Sequence, residues 1–363
     1  MKLFLHLLLP VITISVSTAQ LKPRPQEPTK PYPYLSESVS FSNPEAGITL
    51  SGTLTLPINE ERFPVVILIS GSSPHNRDEE IAGHKPFLVI ADHLTRNGIG
   101  VLRYDDRGVG QSEGEYKIAG YADRASDVKS AVAFLKKNKR IDSNKIGLIG
   151  HSEGGLIAPI VASNSKDISF IIMLAAPALP GSDIMLLQTE FSNKAQGVSG
   201  AKTETELSFL KTIFDDVSQS TDLEKTRASL SKKLKANKET LPEDVSVDAI
   251  DGILETFTAP WFQKIITYDP RTILMDVKCP VLALNGAKDL QITSEANLSA
   301  IEKALKDGGN SNATVKQLQG LNHLFQEAQT GLADEFAAID QTFSPLALKE
   351  ITTWIHSNII FKK

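Results

Sequence analysis

A chain of 363 residues with a single cysteine has no means of stapling itself by intramolecular disulfides. Tryptophan is nearly absent, at two residues, and aromatics make up only 6% of the chain. There is no excess of positive charge: 38 Lys and Arg stand against 43 Asp and Glu, a net charge of -5. Without a basic face or stripe the electrostatic footprint of a nucleic-acid-binding protein is missing, and nucleic acid is not an expected partner. No His-Glu-x-x-His pattern and no paired cysteines occur, so neither a metal nor another cofactor is expected. Past residue 16 no apolar run is long enough to span a bilayer. What remains is ordinary for a globular protein, with 41% hydrophobic and 22% charged residues.

The one long apolar run opens the chain. Met1-Lys2, then Leu3 to Val16, then Ser17-Thr18-Ala19 reads as a secretory signal peptide over 1–19, implying export to the periplasm or the medium and no stable membrane span after its removal. No cysteine follows the run, which excludes a lipid anchor at the cleavage site. Residues 20–34 carry several prolines among polar residues and read as an extended linker that does not pack. Cys279, before Pro280 and an apolar strand, reads as a buried structural thiol.

From Leu35 onward short apolar runs recur. Ser38 to Phe41 and Ile48 to Leu56 alternate as antiparallel edge strands. Val65 to Ile69, Val101 to Tyr104, Ile146 to Ile149, Phe170 to Leu174 and Val281 to Leu284 read as buried strands. Between several of them lie helix-period segments, Lys85 to Asn97, Tyr121 to Asn138 and Gly155 to Ala162. Buried strands alternating with helices predict an α/β fold, a mostly parallel central sheet with helices on both faces. The alternation breaks over residues 181–273, a charge-rich and helix-forming stretch expected to form an inserted helical cap over the ligand crevice. The expected core is then 35–180 with 274–363.

Lys145-Ile146-Gly147-Leu148-Ile149-Gly150-His151-Ser152-Glu153-Gly154-Gly155 is an apolar strand running through Gly-x-Ser-x-Gly into a helix. A turn that tight leaves no room for side chains two residues on either side of the serine, so Ser152 is the candidate nucleophile. A serine hydroxyl needs a base, and in this strand-turn-helix setting the histidine comes last in chain order. That leaves His323, after the strand-like run Thr314 to Leu318, and His356, in a predicted C-terminal helix; His323 is the candidate base. His151 sits on the elbow itself, where its side chain cannot fold back onto the neighbouring hydroxyl. The carboxylate that orients the base should follow a strand between Ser152 and His323, which points to Asp289 after Val281 to Leu284. An oxyanion site needs backbone NH groups: one from Glu153, directly after the nucleophile, and one from Ser70-Gly71-Ser72-Ser73, where Ser72 is favoured. Asp105 to Ser112 lacks the glycine spacing of a nucleotide loop and reads as a rigid turn tied by Arg107 to a carboxylate. His75 to Glu80 reads as a solvated polar loop, with a place on the pocket rim as the alternative.

Taken together, the Ser-Gly-Ser-Ser-Pro loop from Ser70, the Asp-Asp-Arg-Gly-Val-Gly-Gln-Ser segment from Asp105, Gly-His-Ser-Glu-Gly-Gly from Gly150, Gly-Ala-Lys-Asp at Gly286 and Asn-His at Asn322 resemble the α/β-hydrolase superfamily. Within it the likeness is to bacterial esterases and serine-aminopeptidase-like (S33-like) hydrolases. Ser70 departs from the histidine often found before the oxyanion glycine. The resemblance implies acyl transfer to water through a Ser-His-Asp triad and an acyl-enzyme, on a small-molecule ester or a peptide substrate. Carboxylester hydrolysis is the expected activity, a peptidase of aminopeptidase type is the alternative, and a binding protein that has kept the fold without catalysis is the third reading.

Overall fold

The computed structural model describes residues 24–58, 62–117 and 119–361. The expected signal peptide and the first residues of the linker lie outside them. Among the described residues no helix is long and apolar enough to cross a membrane.

The strands are β1 (Leu35–Asn43), β2 (Ile48–Leu56), β3 (Phe63–Ile69), β4 (Gly100–Tyr104), β5 (Ile141–His151), β6 (Phe170–Leu174), β7 (Val281–Gly286) and β8 (Ala313–Leu318). They form one sheet in the order β1-β2-β4-β3-β5-β6-β7-β8. The pairings β1/β2 and β2/β4 are antiparallel; every other neighbouring pair is parallel. β5 is longer than its apolar stretch because Ile141 pairs with Phe63 across a register shift, and the polar Asp142 to Lys145 between hide that extension in the sequence.

Side chains alternate across a strand, so each strand feeds two layers. Val65, Ile67, Ile69, Leu148, Ile171, Met173 and Val281 pack on one face against α2 (Tyr121–Leu135), α3 (Gly154–Ser163) and α10 (Ser294–Asp307). Val66, Leu68, Ile149, Ile172, Leu174 and Leu282 face the other way, against α1 (Pro86–Arg96) and α11 (Pro345–Ile355). The short α9 (Arg271–Leu274) leads back to β7. Cys279 packs partly buried at the edge of the first of these cores, and burial pushes its thiol up to about 11, which makes it a poor nucleophile.

Residues 24–34 are not the free extended linker that their proline content predicts. The Arg24 guanidinium donates to the carbonyls of Gly83, Ala337 and Ile339, Gln26 donates to the Phe343 carbonyl at 2.7 Å, and Lys85 pairs with Glu27. Tyr34 is buried and donates its hydroxyl to Asp92. Prolines remove donors from this stretch, but the side chains between them supply the hydrogen bonds that dock it.

Residues 179–270 form a second compact unit. It contains α4 (Gly181–Ala195), α5 (Gly200–Ser218), α6 (Leu223–Ala236), α7 (Ile250–Phe257) and α8 (Pro260–Thr267). These helices enclose a core of their own, with Phe209, Leu210, Phe214, Leu254, Phe257 and Phe262 buried and the Phe257 and Phe262 rings 4.8 Å apart. Each such side chain contributes roughly 1.5–3 kcal/mol by leaving water. Lys233 and Lys235 of the lysine-rich stretch pair with Asp216 and Asp251 on its surface.

Candidate active site

Strands β3, β5, β7 and β8 run parallel, so the loops leaving their carboxyl ends emerge along one edge of the sheet. Ser70 to Ser73 follow β3, Ser152 follows β5, Asp289 follows β7 and His323 follows β8. In open parallel sheets this edge is where ligands bind.

Ser152 occupies the left-handed region at φ 52°, a conformation that non-glycine residues adopt only under constraint. The constraint is visible in the glycines: a Cβ on Gly150 would overlap the Gly154 carbonyl, and one on Gly154 would overlap the Ile69 carbonyl. The Ser152 NH donates to the Leu174 carbonyl at 2.8 Å, which fixes the turn to β6. The hydroxyl-bearing carbon is thereby lifted out of the sheet and rests beside Gly71, where a Cβ on that glycine would come within 3.3 Å of it.

His323 Nδ1 lies 2.9 Å from Asp289 Oδ2. A carboxylate only accepts, so the ring carries its proton on Nδ1, and in the neutral imidazole Nε2 is left as the acceptor. Both side chains are buried. The other Asp289 oxygen accepts the NH groups of Gln291 and Ile292, each at 2.9 Å, so the carboxylate is oriented from two sides. The turn carrying His323 is fixed by Asn322, whose Oδ1 accepts the NH groups of Leu324 and Gln326. His356 stands apart, with Nε2 against the Asn97 carbonyl.

The loop after β3 is held by charged groups behind it. Arg124 of α2, buried, donates to the Ser70 carbonyl at 2.8 Å and to its hydroxyl, while that hydroxyl donates to Asp106. The same guanidinium pairs with the Glu153 side chain. Asp106 also accepts the His75 NH. The Gly71 NH is taken by Glu79 at 2.7 Å. Among the described residues no acceptor takes the NH of Ser72 or of Glu153, and the latter stands at the N-terminus of α3, the positive end of the helix dipole. Arg107 reaches Asp127 with two hydrogen bonds of 2.8 and 2.9 Å, the tie expected for its turn.

The loop His75 to Glu80 departs from its reading as a solvated segment. Glu79 is 1% exposed. Its Oε1 accepts from Gly71 and lies 3.0 Å from His151 Nδ1, and His151 Nε2 lies 3.0 Å from the His323 carbonyl oxygen. Burial alone would raise the Glu79 pKa and lower that of His151; their mutual charge and hydrogen bond reverse both, leaving the carboxyl below and the imidazole above its ordinary value. Glu79 carries no motif signal, and His151, although it stands in the elbow motif, has nothing in its sequence to announce this contact with a residue 72 positions away. Among the described residues no cluster of His, Cys, Asp and Glu is arranged to hold a metal ion.

In the inserted unit a groove of about 1050 Å³ runs between α4 and α5, with Leu186, Leu187 and Leu207 beside Asp183, Glu190 and Glu204. Glu206 of α5 is buried and accepts from Asn193.

The family model described as serine aminopeptidase, S33, matches residues 85–328. Among curated relatives, the esterase EstD of Thermotoga maritima is 29% identical over 276 residues, covering 76% of this chain and 58% of that protein, so the chain spans less than two thirds of that relative's length. Among solved structures, the α/β hydrolase GrgF from Penicillium sp. sh18 is similar with a TM-score of 0.54 at 19% identity, covering 90% of this chain and all of that one. The esterase Pf2001 of Pyrococcus furiosus is similar with a TM-score of 0.52 at 17% identity, covering 90% of this chain and 92% of that one. These two likenesses are of fold. With most of its length inside the family model, the chain belongs to the serine aminopeptidase (S33) family of α/β-fold hydrolases.

Proposed function

We propose that the protein is a serine hydrolase that cleaves carboxylic esters of small molecules, with Ser152 as nucleophile, His323 as general base and Asp289 as the group that orients it. The observation that carries the reading is the 2.9 Å contact of His323 Nδ1 with Asp289, which leaves Nε2 free to accept a proton, on the same sheet edge as a serine held at positive φ. Ser152 Oγ attacks the ester carbonyl while Nε2 takes its proton; the tetrahedral oxyanion is held by the NH groups of Ser72 and Glu153, each worth about 3 kcal/mol. The imidazolium then protonates the leaving alcohol. Water, deprotonated by the same nitrogen, releases the acid and restores Ser152. None of these steps calls on a metal or cofactor.

The likeness to EstD, named an esterase, supports the ester reading. The name of the family model supports a second one, peptidase action on aminoacyl amides by the same residues. Hydrolysis of 4-nitrophenyl acetate and of alanine 4-nitroanilide, each beside Ser152→Ala, separates them. Ester cleavage that disappears in the variant is the expected result; dominant amide cleavage, equally lost, moves the substrate class, and activity that survives the substitution overturns the roles assigned. The apolar stretch read as a leader over residues 1–19 supports export as a further part of this proposal, tested by N-terminal sequencing of secreted protein, expected to begin at Gln20.

A further inference from the structure

Glu79 and His151 are titratable, buried and outside the roles assigned so far, and their contacts join the two halves of the site. Glu79 Oε1 holds the Gly71 NH on the loop that also supplies Ser72; His151 Nε2 lies against the main-chain carbonyl of His323. The His151 ring meets two acceptors, a carboxylate oxygen at Nδ1 and a carbonyl oxygen at Nε2. Only a doubly protonated ring makes both contacts hydrogen bonds; a neutral ring would turn a lone pair on one of them. The arrangement is costly: Glu79 sits at φ 50°, and its Oε2 is buried with no hydrogen-bond partner among the described residues. Strain and an incompletely satisfied buried charge of this kind persist where the surrounding structure over-determines them, and they concentrate at functional sites.

We propose that Glu79 and His151 are positioning residues, a buried carboxylate–imidazolium pair that ties the oxyanion loop to the loop of the general base. The proposal rests on the reading of Ser152, His323 and Asp289 as the hydrolytic residues. Through Gly71 the carboxylate fixes the backbone that aims the Ser72 NH; through the His323 carbonyl the imidazolium fixes where the base sits. The His151 and His323 rings are 5.0 Å apart. Other groups around the pair are the Phe325 ring, edge-on to His151, and His75, whose charge when protonated favours the Glu79 carboxylate.

Three substitutions separate the two ends. His151→Asn keeps a donor for Glu79 and loses the His323 carbonyl; His151→Gln keeps the carbonyl contact and loses Glu79; Glu79→Gln removes the anion. We expect His151→Asn and Glu79→Gln to lower kcat/KM for 4-nitrophenyl acetate about 10- to 100-fold, the scale of a misplacement on the order of 1 Å, mainly through kcat. His151→Gln should be milder than His151→Asn. The conservative pair supplies the control: His151→Gln should recover kcat relative to His151→Asn with KM little changed in either. All three should still take one fluorophosphonate at Ser152; a wild-type protein that takes no label, or full activity in Ser152→Ala, would count against the underlying hydrolytic reading instead. Variants within twofold of wild type, or losses carried by KM with kcat unchanged, overturn the proposal. Should they fail to fold, the wild-type protein still decides it: nitrogen-15 NMR of the histidines at pH 6.5 should show His151 predominantly carrying protons on both ring nitrogens, and a singly protonated ring there overturns the pair.

Discussion

Replacing Asp289 by Asn tests the orientation of the base with little change in shape. Asp289 is 3% exposed, and its two oxygens do different work: Oδ1 accepts the NH groups of Gln291 and Ile292, and Oδ2 accepts from His323 Nδ1. In Asp289→Asn the two main-chain donors hold the amide oxygen at the Oδ1 position, which turns the NH2 toward His323. Two donors then face each other, and the ring relieves this by moving its proton to Nε2 and accepting at Nδ1. A protonated Nε2 cannot take the Ser152 proton. In Ser-His-Asp systems the wrong tautomer lowers kcat about 10⁴-fold, which at 1.36 kcal/mol per decade is about 5.4 kcal/mol of transition-state stabilisation. The loop keeps its backbone hydrogen bonds, so the melting temperature should change little. Steady-state hydrolysis of 4-nitrophenyl acetate at pH 8 with a parallel thermal melt gives both numbers. A folded Asp289→Asn enzyme retaining more than about a tenth of wild-type kcat, against the about 10⁴-fold loss expected, would refute the reasoning.

Other consequences concern stability. Arg107→Ala leaves the Asp127 carboxylate buried without its bidentate partner and should cost about 3–5 kcal/mol, read from the urea midpoint. Gly150→Ala drives a Cβ into the Gly154 carbonyl across the elbow, and the expected outcome is a chain that loses both soluble yield and esterase activity. Because the His151 pKa is raised above 6.5 and that of Glu79 lowered below 4.5, the pair stabilises the fold fully between about pH 4.5 and 6.5. Its contribution fades as pH rises through the folded value of His151 or falls through that of Glu79. The gap in melting temperature between wild type and Glu79→Gln should therefore be widest in that window and narrow by pH 9, and a constant gap from pH 4 to 9 would contradict the assignment.

Much of the fold was legible because each central strand is apolar on both faces and set off by turn residues. Val65 to Ile69 and Phe170 to Leu174 announce themselves in this way. The elbow was legible for a similar reason: Gly150 and Gly154 are demanded by local sterics, and local sterics leave a trace at fixed spacing. The extension of β5 through the polar Asp142 to Lys145 was not, because it spans the register shift between the Phe63–Ile141 and Val65–Ile146 pairs and has no apolar pattern of its own. Nor was the docking of residues 24–34, which depends on carbonyls of residues 83, 337 and 339. Asp289 and His323 could be ranked by order along the chain, but their contact belongs to three-dimensional structure. Glu79 and Arg124 had no signal at all: a charged residue in a polar loop or on a helix is ordinarily solvated, and only the fold shows that these two are buried against the site.

The most direct test of the central claim is to treat the protein with a fluorophosphonate and locate the adduct by peptide mass spectrometry. The account predicts one adduct per chain, on Ser152, formed in step with loss of esterase activity and absent from Ser152→Ala. An adduct on another residue, or activity that persists in a fully labelled protein, would contradict it.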